Sequence, residues 1–237
     1  MKNRLIVITL VIALMFLLTG CFGGEQTDTL VTDEQIQKPT QEPAQEPIII
    51  TLNNTFTTRF REVNAVTWPS FAFDFPDNWT ITDEDVSQQS EFITLTNDRG
   101  VTISYSHFSG SVAGGGSAVT ALRVEVSKVA NSSFVPAPVN IPDEEEPDLR
   151  EFMVARLKVT GTLEDYTFVD VDGSTAFAVI PVSHIGTDYF VRRPFVAEYA
   201  FAYAAYISFV AQAPDGEFTE AEEREVIAIL QSFRLVP

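Results

Sequence analysis

Few side chains in this chain are of types that do chemistry, and their spacing narrows what that chemistry is. Cys21 is the single thiol, so no disulfide can form within the chain and the folded part must be held by its core. His107 and His184 are the only histidines, too few beside one cysteine to build a zinc site of the His/Cys kind. The densest carboxylate run is Asp143-Glu144-Glu145-Glu146, with Asp148 close behind. Oxygen ligands packed this way could hold Ca²⁺; the other account is a solvated loop that feeds a helix start. Asp170-Val171-Asp172-Gly173 has part of a calcium-loop pattern but lacks the preceding ligands and the closing Glu, so it reads as a two-residue hairpin turn. Gly114-Gly115-Gly116 lacks the Lys-Ser/Thr of a phosphate loop, and no Gly-x-Ser-x-Gly elbow occurs. We therefore assign no catalytic residue and no cofactor. A hydrolase using scattered Ser, His and Asp is the enzymatic alternative, and geometry must decide it.

Cys21 gains a context from the residues before it. Lys2 and Arg4 give a positive start, and Leu5–Leu18 is apolar apart from Thr9. That run of about 14 residues suits an export-signal core and falls short of the ~20 needed for a permanent span. It ends in Leu18-Thr19-Gly20-Cys21, which resembles the lipobox of bacterial lipoproteins. The resemblance implies cleavage between Gly20 and Cys21, a diacylglycerol thioether on Cys21, and acylation of the new amino terminus. Two or three acyl chains hold stably where one holds weakly, at ~0.8 kcal/mol per buried methylene. The expected location is extracytoplasmic, anchored by lipid to the cell membrane, or to the outer membrane in a two-membrane host.

The formal net charge is −18, with 33 acidic residues against 15 Lys and Arg. Such a surface repels nucleic acid and anionic head groups, so the membrane contact must come from the lipid and no nucleic-acid partner is expected. An envelope protein partner fits better. Three regions follow: a signal peptide at 1–20, a lipidated Cys with a tether at 21–47, and a globular domain at 48–237. The tether carries Gly23-Gly24, Pro39, Pro43 and Pro47 and too few apolar residues to offset its ordering entropy. Stretched out, it reaches on the order of 90 Å.

The domain alternates apolar and polar residues, the strand signature. Strands are expected over Ile48–Phe60, Phe71–Phe75, Glu91–Asn97, Val101–Phe108, Ala121–Val129, Tyr166–Val171, Thr175–Val182, Tyr189–Ala197 and Tyr199–Ala211. Leu149, Phe152, Met153 and Leu157 after Pro147 have helical spacing. Thr219 with Glu222 forms a capping box before Val226, Ile227, Leu230 and Phe233. The stretch from Tyr199 looks buried on both faces, which predicts a helix against each face of the sheet.

Phe71-Ala72-Phe73-Asp74-Phe75-Pro76-Asp77-Asn78-Trp79, and the late strand Tyr206–Gln212 followed by a helix closing on Ile229–Phe233, resemble the PsbP-like fold. The resemblance implies an α+β fold, an antiparallel sheet flanked by helices on both faces (an α/β/α sandwich), and binding or assembly roles rather than catalysis. A lipocalin-like β-barrel is the alternative fold. The functional expectation is a lipid-anchored, non-catalytic binding or accessory protein of the cell envelope. The alternatives are a small-molecule or cation-binding transport accessory, and a hydrolase.

Overall fold

Alternation turns into strands wherever one set of side chains can be buried, and here nearly every element is a strand. The structure, a computed structural model, describes residues 49–63, 69–109, 121–134, 151–164, 167–186, 189–192, 199–202 and 205–236. All belong to the unit Ile48–Pro237. In chain order they form β1 (Asn54–Thr57), α1 (Phe60–Val63), β2 (Ser70–Phe75), β3 (Trp79–Val86), β4 (Ser90–Asn97), β5 (Thr102–Ser109) and β6 (Ala121–Asn131). There follow β7 (Phe152–Glu164), β8 (Thr167–Asp170), β9 (Thr175–Pro181), a 3₁₀ turn at Val182–His184, β10 (Tyr189–Arg192), β11 (Tyr199–Ala202), β12 (Ala205–Gln212), α2 (Glu220–Gln231) and β13 (Arg234–Val236).

The strands make two sheets, and every pairing is antiparallel. The larger sheet runs β10-β6-β7-β9-β12-β5-β4-β3, with β8 paired to β7 and β11 to β12. The smaller runs β1-β2-β13. One face of the large sheet carries Ile93, Leu95, Ile103, Tyr105, Phe177 and Phe209. The small sheet adds Phe71 and Phe73 to this layer, and α2 adds Val226, Ile229 and Leu230. Phe233 sits at the centre, with its ring 4.8 Å from Phe209, 5.0 Å from Phe134 and 5.6 Å from Phe71. The opposite face buries a second layer of Val124, Val126, Met153, Leu157, Ala178 and Ile180.

The α/β/α sandwich is therefore not what this chain forms. It is mostly antiparallel sheet, and among the described residues no helix contributes to the second layer. The expected helix over Phe152–Leu157 is the first half of β7. Phe152 and Val154 enter one layer, Met153, Ala155 and Leu157 the other. A strand buried on both sides is apolar at nearly every position, so four of its residues also match helical spacing. Pro147 and Leu149 lie outside the described residues. Nor do the described strands close into a lipocalin-like barrel, since the path ends at β10 and β3 without joining them.

Further elements differ from their sequence reading: the stretch Ile48–Phe60 is a strand only over Asn54–Thr57, and Phe60 begins α1. Asp172-Gly173 is not a hairpin tip, because β8 and β9 both pair with β7 and leave Val171–Ser174 as an irregular joint between them. The main chain of that joint stays tied to β7 through Val171 N to Thr160 O at 3.0 Å and Val159 N to Ser174 O at 3.0 Å. The stretch Tyr199–Ala211 is a hairpin, β11 on β12, and not one strand. β3 was hidden because Asp83-Glu84-Asp85 breaks its apolar pattern. The capped helix forms as expected: Glu222 N donates to Thr219 Oγ1, and Thr219 N donates to Glu222 Oε2 at 2.8 Å.

Candidate functional site

The joint between β8 and β9 meets the loop from β12 to α2 at one end of the large sheet, and two cavities open back to back there. Gly173, Ser174, Asp215 and Gly216 line both and form the wall between them. Close packing holds this wall. Gly216 has φ +79°, and a Cβ there would fall 2.5 Å from the Ser174 Cβ. A Cβ on Gly173 would fall 2.7 Å from the Val159 Cβ. Thr175 N also donates to Gly216 O at 2.9 Å.

The first cavity, about 560 Å³, is lined by apolar Leu122, Val159 and Val171 and by polar Thr162, Ser174 and Gln212. Volumes of 300–1,000 Å³ with few polar groups suit small molecules. The second cavity, about 380 Å³, is bounded by Lys158, Asp172, Asp215, Glu217 and Glu223. Four of these five charged side chains are held in ion pairs. Lys158 Nζ donates to Gly173 O at 2.7 Å and pairs with Asp172 at 2.8 Å, which lowers the Asp172 carboxyl below its usual range. Asp215 is lowered by the Glu217 backbone N–H and by Arg99, whose Nη1 lies 2.9 Å away. Arg99 also pairs with Glu222. Burial alone would raise the Glu222 carboxyl, but hydrogen bonds from Arg99 and Thr219 outweigh it and bring it down to about 2. Arg156 pairs with Glu223 at 2.7 Å and lies over the Phe177 ring. Arg99 thus pins the β4–β5 turn to the loop that carries Asp215, and ion pairs hold Lys158, Asp172, Asp215 and Glu223 around the second cavity.

A second group of titratable residues lies inside the protein. Glu91 on β4 and His107 on β5 are register partners, and both are fully buried. The Glu91 carboxylate accepts from Arg59 N at 2.7 Å and from Phe60 N at 3.1 Å, so it caps the turn α1 from another strand. Burial raises its carboxyl nonetheless, against the pull of those two N–H groups. The Phe60 ring covers His107 at 4.3 Å, and burial lowers the imidazole to about 3. This group is closed to solvent and buttresses the fold.

Several sequence candidates lie outside the described residues: Gly20 and Cys21, the run Asp143–Glu146, and Asp148. His107 is in the core, and His184 ends the 3₁₀ turn; neither lines a described cavity, so the hydrolase alternative gains no histidine there. Asp170 pairs with Arg123 on β6, across Gly161 of β7, and Asp172 pairs with Lys158 on β7. Among the described residues no group of three or more His, Cys, Asp or Glu is placed to hold a metal ion. Glu91 was missed, although its parity with Ile93 and Leu95 places a carboxylate on the core side of β4. Ser174, Gln212 and Asp215 carried no signal, because only the meeting of two loops brings them together.

Comparison of the chain with family models, with curated proteins and with solved structures returns no match. Among the described residues no helix is long and apolar enough to cross a membrane.

Proposed function

We propose that this chain is a lipid-anchored, extracytoplasmic protein with a non-catalytic binding or accessory role in the cell envelope. The observation that carries the reading is Leu18-Thr19-Gly20-Cys21 directly after a short apolar run with a basic start. The acyl chains on Cys21 hold a strongly anionic protein at a membrane, residues 22–47 set its reach, and the sheet domain presents a binding surface. Metabolic labelling with a palmitate analogue tests it. Wild type takes up label and enters the detergent phase, and Cys21→Ser does neither. A wild-type chain that sediments with membranes without label overturns the anchor.

The first cavity favours a second reading, a small-molecule-binding accessory to transport. Its apolar lining would take the body of a ligand and Thr162, Ser174 and Gln212 its polar groups. Native mass spectrometry of chain purified from its envelope checks this. A bound small molecule that is lost on Val159→Trp supports it; a ligand-free wild type opposes it.

A further inference from the structure

The alternation of β1 begins before its pairing does. From Ile49 to Thr57 exposed and half-buried side chains alternate without a break, with Ile50, Leu52, Asn54 and Phe56 on the inner side. Leu52 and Phe56 pack against the core. Only Asn54–Thr57 pair with β2, because Asn53 falls next in register opposite Pro76, which has no N–H to give. Among the described residues Ile49–Leu52 make no backbone hydrogen bond. Ile49 is 84% exposed, more than any other large apolar side chain described.

Thr58 N donates to Phe71 O at 2.8 Å, so the even-numbered residues of this run turn their main-chain groups toward β2. The odd-numbered ones, from Ile49 to Thr57, turn theirs to the free edge. Open edges are commonly blunted by charge or by a bulge. β3, β10 and β13, which end the two sheets elsewhere, follow that rule. β3 carries Asp83-Glu84-Asp85 and a bulge after Ile81, β10 ends on Arg192, and β13 starts with Arg234. Residues 49–58 contain no charged side chain. The carboxylates beside the run are engaged: Asp77 accepts from Asn53 at 2.8 Å and from Asn54 at 2.9 Å, and Asp74 pairs with Arg234.

We propose that this edge pairs antiparallel with the same edge of a second copy of the chain. A twofold axis through Thr51 sets Thr51 against Thr51, Ile49 against Asn53 and Ile50 against Leu52. The odd-numbered pairs exchange main-chain hydrogen bonds. Ile50 and Leu52 of both copies form one apolar row, joined to each core through Leu52. An axis between two residues would set inner side chains against outer ones, so parity places the axis on a residue. A second copy brings the matching uncharged strand by symmetry, whereas a foreign strand would need a parity and an apolar row of its own. The pairing does not depend on the lipid anchor, so it stands or falls apart from the reading above.

Disulfide trapping in the full chain is the test. Cys21→Ser removes the native thiol and the acyl site together, so each molecule then carries one introduced cysteine and a failure of the anchor leaves the result intact. Cells producing Thr51→Cys or, as control, Gln89→Cys in the exposed β3–β4 turn are treated with copper phenanthroline. Thr51→Cys gives a disulfide-linked dimer on non-reducing gels, since paired Cα atoms about 5.5 Å apart lie within disulfide reach, and Gln89→Cys does not. Ile49→Asp, added to Thr51→Cys, sets a carboxylate opposite Asn53 and near Asp77 of the other copy and lowers the dimer about tenfold. Ile49→Thr preserves it, and an unchanged Tm shows that each variant is folded. A Thr51→Cys band no stronger than that of Gln89→Cys, a dimer that survives Ile49→Asp, or a Thr51→Cys disulfide to a different protein in place of the dimer overturns the proposal.

Discussion

Glu91 and His107 face each other across β4 and β5 with both side chains fully buried, and burial moves their proton affinities in opposite directions. His107 falls from 6.5 to about 3, so the unfolded chain binds its proton more readily than the folded chain. The stability this contributes is complete above pH 6.5 and is lost as pH falls toward 3. Glu91 has the reverse sign. Its folded value lies above 4.5, so its share is complete below 4.5 and is lost as pH rises through the raised value. Urea unfolding at a series of pH values should show acid lability in the wild type and a flatter profile in His107→Phe. Equal slopes in the two proteins would refute the assignment.

Removing the Glu91 carboxylate strands the buried N–H of Phe60 and the part-buried N–H of Arg59. Glu91→Ala should cost about 1–3 kcal/mol, and Glu91→Gln less, because an amide oxygen still accepts. Hydrogen exchange at Arg59 and Phe60 should quicken more than exchange in β7. Uniform acceleration over the domain would show that Glu91 does not act through this cap.

The wall between the two cavities requires glycine at 216. Gly216→Ala combines φ +79° with a Cβ 2.5 Å from the Ser174 Cβ. The expected cost is about 1–3 kcal/mol, read as a lower Tm. Gly186→Ala is the control, since it shares a positive φ but meets nothing within 4 Å. If both variants lower Tm equally, the close approach to Ser174 contributes nothing.

Thr219→Ala should destabilise by about 1 kcal/mol through loss of the capping box, with Thr219→Ser close to neutral. Glu222, held at about 2, supplies stability that is present above 4.5 and disappears as pH falls through about 2. Arg99→Met should raise the Glu222 carboxyl, seen by carbon NMR titration. An unmoved titration would remove Arg99 from that role.

Phe233→Ala at the centre of the aromatic layer should cost about 3–5 kcal/mol, because the three rings packed around it cannot collapse into the space. Chemical denaturation gives the value, and a loss under 1 kcal/mol would mean the layer is looser than its ring distances imply.

The sequence by itself determined what depends on neighbours along the chain. The capping box of α2 and the turn Asn97–Gly100 belong here, the turn with Gly100 at φ 84° and Asn97 Oδ1 accepting from Val101 N at 2.9 Å. So do the alternating strands β4, β5 and β6. These are set by hydrogen bonds and side-chain parity over a few residues, and such signals survive without tertiary context. The tertiary structure decided the rest. Phe152–Leu157 is apolar on every side, so its periodicity is ambiguous until β6 and β9 claim its edges. Asp172-Gly173 has the residues of a hairpin turn, yet β7 is long enough to pair with both flanking strands and draws them into line. The same long strand brings Ser174 against Gly216, and so creates the cavity wall from two loops far apart in sequence. Pairing partners and layer coverage are set by which surfaces can be buried together, a property of the whole chain that no local window contains.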